Sequence, residues 1–267
     1  MQDMSSSPSL LYRLAMIVPY AVTAGLVGLL LYCNHWGETF NVSFEDGFVE
    51  WGTCVSFLLC GVLAFIAVGT KWVELTRAQV VFLIVFGLVA WIAVGEELSW
   101  GQRFFGFQPP AAMESHGGNW IRTGHNDVTW HNLTFDFGFM KFSLGGALFG
   151  VPIFLALFLH GVWLPVWFRR GGRKTVALVK KLGLFLPPLH LGILLLAGTI
   201  LFHYRKLWGE LTDSREYKEM LIPAVYVFVL LHCFFRTRRW LDVAVTAAGL
   251  GAFLLGVGWS LYKGIAG

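Results

Sequence analysis

The sequence predicts an all-α fold, a polytopic transmembrane bundle of about seven helices. Three observations carry that expectation: an apolar composition, long uncharged runs, and charge sorted between two faces. Of 267 residues, 56% are hydrophobic and 13% charged, and mean hydropathy is +0.64. Soluble domains average about 45–50% apolar and about 25% charged. A hydrocarbon core of roughly 30 Å takes about 20 apolar residues to cross. Runs of that kind fall near 12–33, 51–70, 78–98, 142–168, 187–204, 219–235 and 240–262. Helices are expected because a helix satisfies its own backbone hydrogen bonds where there is no water. No linker or internal repeat divides the chain, so 1–267 reads as a single integral membrane domain.

The first run lacks a small-residue cleavage site after a short apolar core, and is expected to be a retained helix. The second opens on "SFEDGFVEWGT" and the third closes on "AVGEELSWGQRFFGFQPP". Between the third and fourth lies a segment of about 104–141, rich in aromatics. Structureless loops longer than roughly 12–15 residues are uncommon, so this one is expected to be a folded or re-entrant outer cap. After the fourth run comes "RRGGRKTVALVKKLGLF", whose Val176, Val179, Leu182 and Leu186 are spaced for a helix lying on the membrane surface. Asp213 and Glu216 are spaced for a capping box ahead of the sixth run.

Short loops rich in Lys and Arg stay in the cytoplasm. Twelve of the 20 basic residues and three of the 16 acids fall on one side, a net +9; the other eight and 13 fall opposite, a net −5. The expected setting is a bacterial inner membrane, with the amino terminus cytoplasmic and the carboxyl terminus outside. The expected partners are membrane lipids and a lipid-linked or amphiphilic small molecule, not nucleic acid. The outward bias of the acids locates the polar chemistry.

Asp46 and Glu50, four apart, share a helix face with Thr53 and Cys54 one turn deeper. Acids at a helix start also complement the dipole, which accounts for Glu45 and Asp46 better than for Glu50. In a helix continuing to about Phe105, Glu96 lies on one stripe with Ser99, Trp100 and Arg103, while Glu97 points toward Trp100 and Gly101. Two adjacent carboxylates at a helix carboxyl end oppose the macrodipole. Such a site suits a shared cation or proton; the plainer alternative is an interface pair, with Arg103 neutralising Glu96. In "HNDVTWHN", Asp127 and His131 are spaced to hold one metal, and His125 joins them if the segment is irregular. Packing of Asn and His side chains within a loop is the alternative. With Asp46 as a further ligand, imidazole plus carboxylates suits zinc, and oxygen alone calcium. His203 and Arg205 are further candidates for the polar face. His160, His190 and His232 lie in the fourth to sixth runs, where a histidine more often bonds a backbone carbonyl or a neighbouring helix than a haem or metal.

Taken in order, "EDGFVEW", "GEELSWGQRFFG" and "NDVTWHNL" resemble a group of uncharacterised bacterial multi-pass membrane proteins marked by EDG-x-x-E-W, GEE-x-SWGQR and a later Asn…His-Asn element. The resemblance covers about 44–133. It implies Glu45, Asp46, Glu50, Glu96, Glu97, Trp100, Gln102, Arg103, Asn126, His131 and Asn132 as motif positions, and brings no known reaction. "EDGFVEWGTCVSF" also distantly resembles the acidic segment of the alkaline ceramidase superfamily, seven-helix membrane hydrolases. Their zinc site needs a late H-x-x-x-H pair, and here the last two runs offer only His232.

These readings converge on a membrane-embedded hydrolase or transferase acting at the outer face on an amphiphilic substrate, with a divalent metal, zinc or calcium, as candidate cofactor. Glu50, Glu96, Glu97 and Arg103 are the candidate catalytic residues. Trp100, Gln102, Asn126 and Asn132 are candidates for substrate binding, and Asp46, His125, Asp127 and His131 for metal. Two alternatives use the same features: a cation- or proton-coupled transporter, and a non-catalytic subunit that docks a partner through its cap.

Overall fold

The computed structural model describes residues 17–28, 48–70, 74–105, 121–122, 134–136, 141–143, 151–203 and 214–234. Helix α1 is Ile17–Gly28. Then come α2 (Phe48–Gly69), α3 (Arg77–Glu97), a 3₁₀ turn (Ser99–Gly101) and the short α4 (Gln102–Phe105). Strands β1 (Ile121–Arg122), β2 (Thr134–Asp136) and β3 (Lys141–Ser143) follow. Helix α5 (Val151–Phe158) leads through a π turn (Leu159–Trp163) into α6 (Leu164–Arg170). The chain continues as α7 (Arg173–Lys181), α8 (Leu189–His203) and α9 (Ser214–Phe234).

Three helices are long and apolar enough to cross a membrane: Val49–Gly69, Arg77–Glu97 and Tyr217–Phe234. They coincide with the second, third and sixth runs read from the sequence. Helices α1 and α8 are shorter and apolar. The run 240–262 lies outside the described residues. Helix α3 turns Val81, Val85, Leu88 and Val89 outward, each more than half exposed, while Leu83, Gly87 and Ala90 are buried. A face that apolar suits lipid, and would be a large liability in water.

Helices α2 and α3 form an antiparallel hairpin, α9 packs on α2, and α8 on α9. Small residues let these helices approach closely: a side chain at Gly61 would strike Trp91, one at Gly87 would meet Phe65, and one at Gly52 would meet Met220. The Cys60 thiol donates to the carbonyl of Pro223 at 3.4 Å, a direct tie from α2 to α9. On α8, Gly192 sits against the backbone of Gly161 in the π turn, where no side chain fits.

The structure refines three expectations. First, the fourth run does not begin as a helix at 142, since Phe142 and Ser143 pair in β3 and the helix starts at Val151, with Pro152 in the first turn where its missing N–H costs nothing. Its length is also interrupted. The Leu164 N–H reaches back five residues to Leu159, just before Pro165, which has no N–H to continue an α ladder. Second, the described residues are overwhelmingly helical, as expected, with three short strands added in the cap segment. Strands β1, β2 and β3 make an antiparallel sheet in that order, with Ile121 opposite Phe135 and Phe135 opposite Phe142. These are the described parts of the expected cap. Third, the surface helix after α6 stops at Lys181 instead of running on to Leu186. Gly183, at φ +67°, reverses the chain, and the Leu184 N–H caps the carbonyl of Val179 at 3.2 Å.

Candidate functional site

The antiparallel α2–α3 hairpin sets the first turn of α2 beside the last turn of α3, so Glu50 and Glu97 share one end of the hairpin. Their charges both act on the Cys54 sulfur, one turn into α2. This brings together two of the three glutamates expected to form a site. Thr53, expected on the same face, is buried and donates its hydroxyl to the Val49 carbonyl at 2.9 Å, so its donor is used within its own helix.

The straight stripe expected from Glu96 through Ser99 and Trp100 to Arg103 does not exist. Helix α3 ends at Glu97, and Ser99, Trp100 and Gly101 take φ of +47°, +53° and +86° in succession. Left-handed backbone costs roughly 1–2 kcal/mol per residue outside glycine, and here two of the three residues carry side chains. The turn folds Trp100 back on its own helix. Its ring lies over Gly95, where an added Cβ would come within 2.9 Å of it, and its indole N–H donates to the Glu96 carboxylate at 2.6 Å.

The sequence G-E-E-x-S-W-G thus has a physical reading. Gly95 is the seat, Glu96 the acceptor, Trp100 the donor, and Gly101 the residue that tolerates the left-handed exit. Ser99, the first residue of the turn, is fully buried, and its hydroxyl has no hydrogen-bond partner among the described residues. Gln102 opens α4 beyond the turn. Arg103 follows on a chain that has been redirected, and its side chain is outside the described set.

One charged residue was missed in the sequence. Lys218 is only 5% exposed, in the first turns of α9. Met220, two residues on, touches Gly52 of α2, which sets this part of α9 level with the Glu50 end of the hairpin. The signal was available: a lysine immediately ahead of "EMLIPAV" enters the helix with the apolar face and is costly to bury without a purpose. Tyr217 beside it stacks on Phe202 at 5.9 Å, joining α9 to the end of α8. His203 meets the edge of Phe154 at 4.8 Å.

Asp46, His125, Asn126, Asp127, His131 and Asn132 lie outside the described residues, as do Glu45 and Arg205. Among the described residues no three His, Cys, Asp or Glu side chains are grouped to hold a metal ion.

At the opposite end, His160 of the π turn is fixed at both ring nitrogens. The Phe185 carbonyl can only accept, so Nε2 carries the proton and donates at 2.7 Å. Nδ1 then accepts from the Tyr226 hydroxyl at 3.0 Å. The imidazole stacks on Tyr226 and meets Phe185 edge-on, within a cluster that includes Phe82, Phe86 and Phe234. This is the structural role expected of a histidine between helices.

Comparison of the chain with family models, with curated proteins and with solved structures finds no match in any of the three.

Proposed function

We propose that the acidic end of the α2–α3 hairpin is the active site of a membrane-embedded hydrolase or transferase, working on a lipid-linked or amphiphilic substrate at the outer face of a seven-span protein. The observation that carries this reading is the left-handed run at Ser99, Trp100 and Gly101, directly after two adjacent glutamates. Backbone strain of this kind persists where its surroundings hold it, and it clusters at active sites and ligand clamps. The carboxylates it positions are the second support.

In this reading Glu50 and Glu97 are the acid–base pair. One, ionised, takes the proton from an attacking water or acceptor hydroxyl; the other, protonated, gives a proton to the leaving oxygen. Glu96 is held by the Trp100 indole and fixes the turn. Arg103 and Lys218 supply the positive charge that an anionic phosphate or carboxylate on the substrate would need. A divalent metal would draw its ligands from Asp46, His125, Asp127 and His131 and would supply Lewis acidity at the scissile group.

The test is product formation when the purified protein is incubated with a total membrane lipid extract, read by mass spectrometry beside Glu97→Gln and Glu50→Gln. A new product that falls by about 10²-fold or more in either variant supports the reading. No product from any lipid class, together with carboxylate-dependent ion uptake in proteoliposomes, would establish the transporter instead. Elemental analysis of the parent and of the Glu96→Gln/Glu97→Gln double variant decides the metal.

A further inference from the structure

Helix α7 and the end of α6 form a charged surface remote from the acidic end, which the proposed chemistry does not use. Around α7, Lys174, Leu178 and Lys181 fall within about 60° of one another, with Leu182 adjoining. The two lysines are exposed, Leu178 is 42% exposed and Leu182 53%. Val176 and Val179 occupy the opposite face, where Val179 is buried. The outward face of this helix is therefore mixed, leucine beside lysine, and the exposed Arg169 and Arg170 at the end of α6 extend the positive charge.

The level at which α7 sits is fixed by the turn that ends it. Gly183 is pressed against the backbone of Ala78 and Gln79, so closely that no side chain fits. Those two residues are the first turn of α3, a helix long and apolar enough to span. The end of α7 is thus pinned to the first turn of a helix long and apolar enough to span, the level at which such a helix would pass the lipid headgroups.

We propose that this face binds the membrane surface itself, with Leu178 and Leu182 entering the acyl boundary and Arg169, Arg170, Lys174 and Lys181 holding the phosphates of anionic phospholipids. Two observations choose this occupant over a soluble partner: charge complementarity to an anionic leaflet, and direct continuity with the end of a spanning helix. Leucines flanked by lysines suit that boundary, because lysine keeps its head among the phosphates while its stem lies along the apolar layer.

The experiment uses the full chain in nanodiscs of phosphatidylcholine containing phosphatidylglycerol. After re-extraction into mild detergent, the ratio of the two lipids that remain bound is compared with that of the bilayer. The parent is expected to retain phosphatidylglycerol at several-fold enrichment, lost in Arg169→Gln/Arg170→Gln/Lys174→Gln/Lys181→Gln and reduced in Leu178→Gln/Leu182→Gln. Raising the salt to about 1 M is expected to weaken the enrichment. Because the charge variant changes exposed side chains only, the leucine pair provides a second reading should that variant misfold. A parent without enrichment, or a charge variant that folds and retains as much as the parent, overturns the proposal. Displacement of the lipid by inorganic phosphate, with no effect of the leucine pair, would also overturn it, by showing a phosphate site and not a membrane-docking face.

Discussion

The two ends of the packed helices are built on opposite principles. At one end, Glu50, Glu96, Glu97 and Lys218 bring charge to the helix ends, the backbone turns left-handed for three residues, and a fully buried serine hydroxyl has no partner among the described residues. At the other, His160 has both nitrogens bonded and is packed among five aromatic rings, and the helix that carries it widens to a π turn against Gly192. Both ends depart from regular helix. The first holds strained backbone beside ionisable groups, as expected of a site that acts. The second satisfies its polar groups, as expected of one that holds the fold together.

Substitutions can break this contrast or sharpen it. The largest effect is expected from Glu97→Gln, which should lower lipid turnover by about 10²-fold or more while leaving the thermal midpoint in detergent nearly unchanged. A parallel collapse of stability would mean that the acidic end is structural after all. Next is Gly192→Ala, which drives a methyl into the Gly161 backbone. It should destabilise by about 3 kcal/mol, read as a lower midpoint of thermal or detergent-induced unfolding. Tyr226→Phe leaves His160 Nδ1 without its donor and should cost about 1–3 kcal/mol in the same measurement, with turnover per folded molecule preserved. Last comes Gly101→Ala. At φ +86° it should cost about 1–2 kcal/mol, and by shifting the Trp100–Glu96 clamp it should reduce turnover more than the midpoint suggests.

Much of this contrast could be read from the sequence, and the remainder has a physical cause. The second, third and sixth spans follow from unbroken apolar runs, and their observed ends differ from the expected ones by a few residues. The placing of Glu50 and Glu97 at one end of the hairpin follows from adjacent runs joined by a short loop. The break after Glu97 was not legible, because Ser99 and Trp100 are not residues that announce left-handed backbone. The only conventional sign, Gly101, comes at the end of the turn and not at its start. The burial of Lys218 and the pairing of His160 with Phe185 and Tyr226 depend on contacts between distant parts of the chain, which local pattern does not encode. The surface helix was expected, but not its face: the leucines left outside are Leu178 and Leu182, because Gly183 stops the helix before the apolar spacing can continue to Leu186.

The seat of Gly183 on Ala78 and Gln79 also has a consequence for assembly during synthesis. The two sides of that contact are about a hundred residues apart, and ribosomes extend a chain at about 5–20 residues per second. The start of α3 therefore waits roughly 5–20 seconds for the segment that will cover it. During that interval the first turn of α3 lacks its Gly183 cover, and another segment has access to the place.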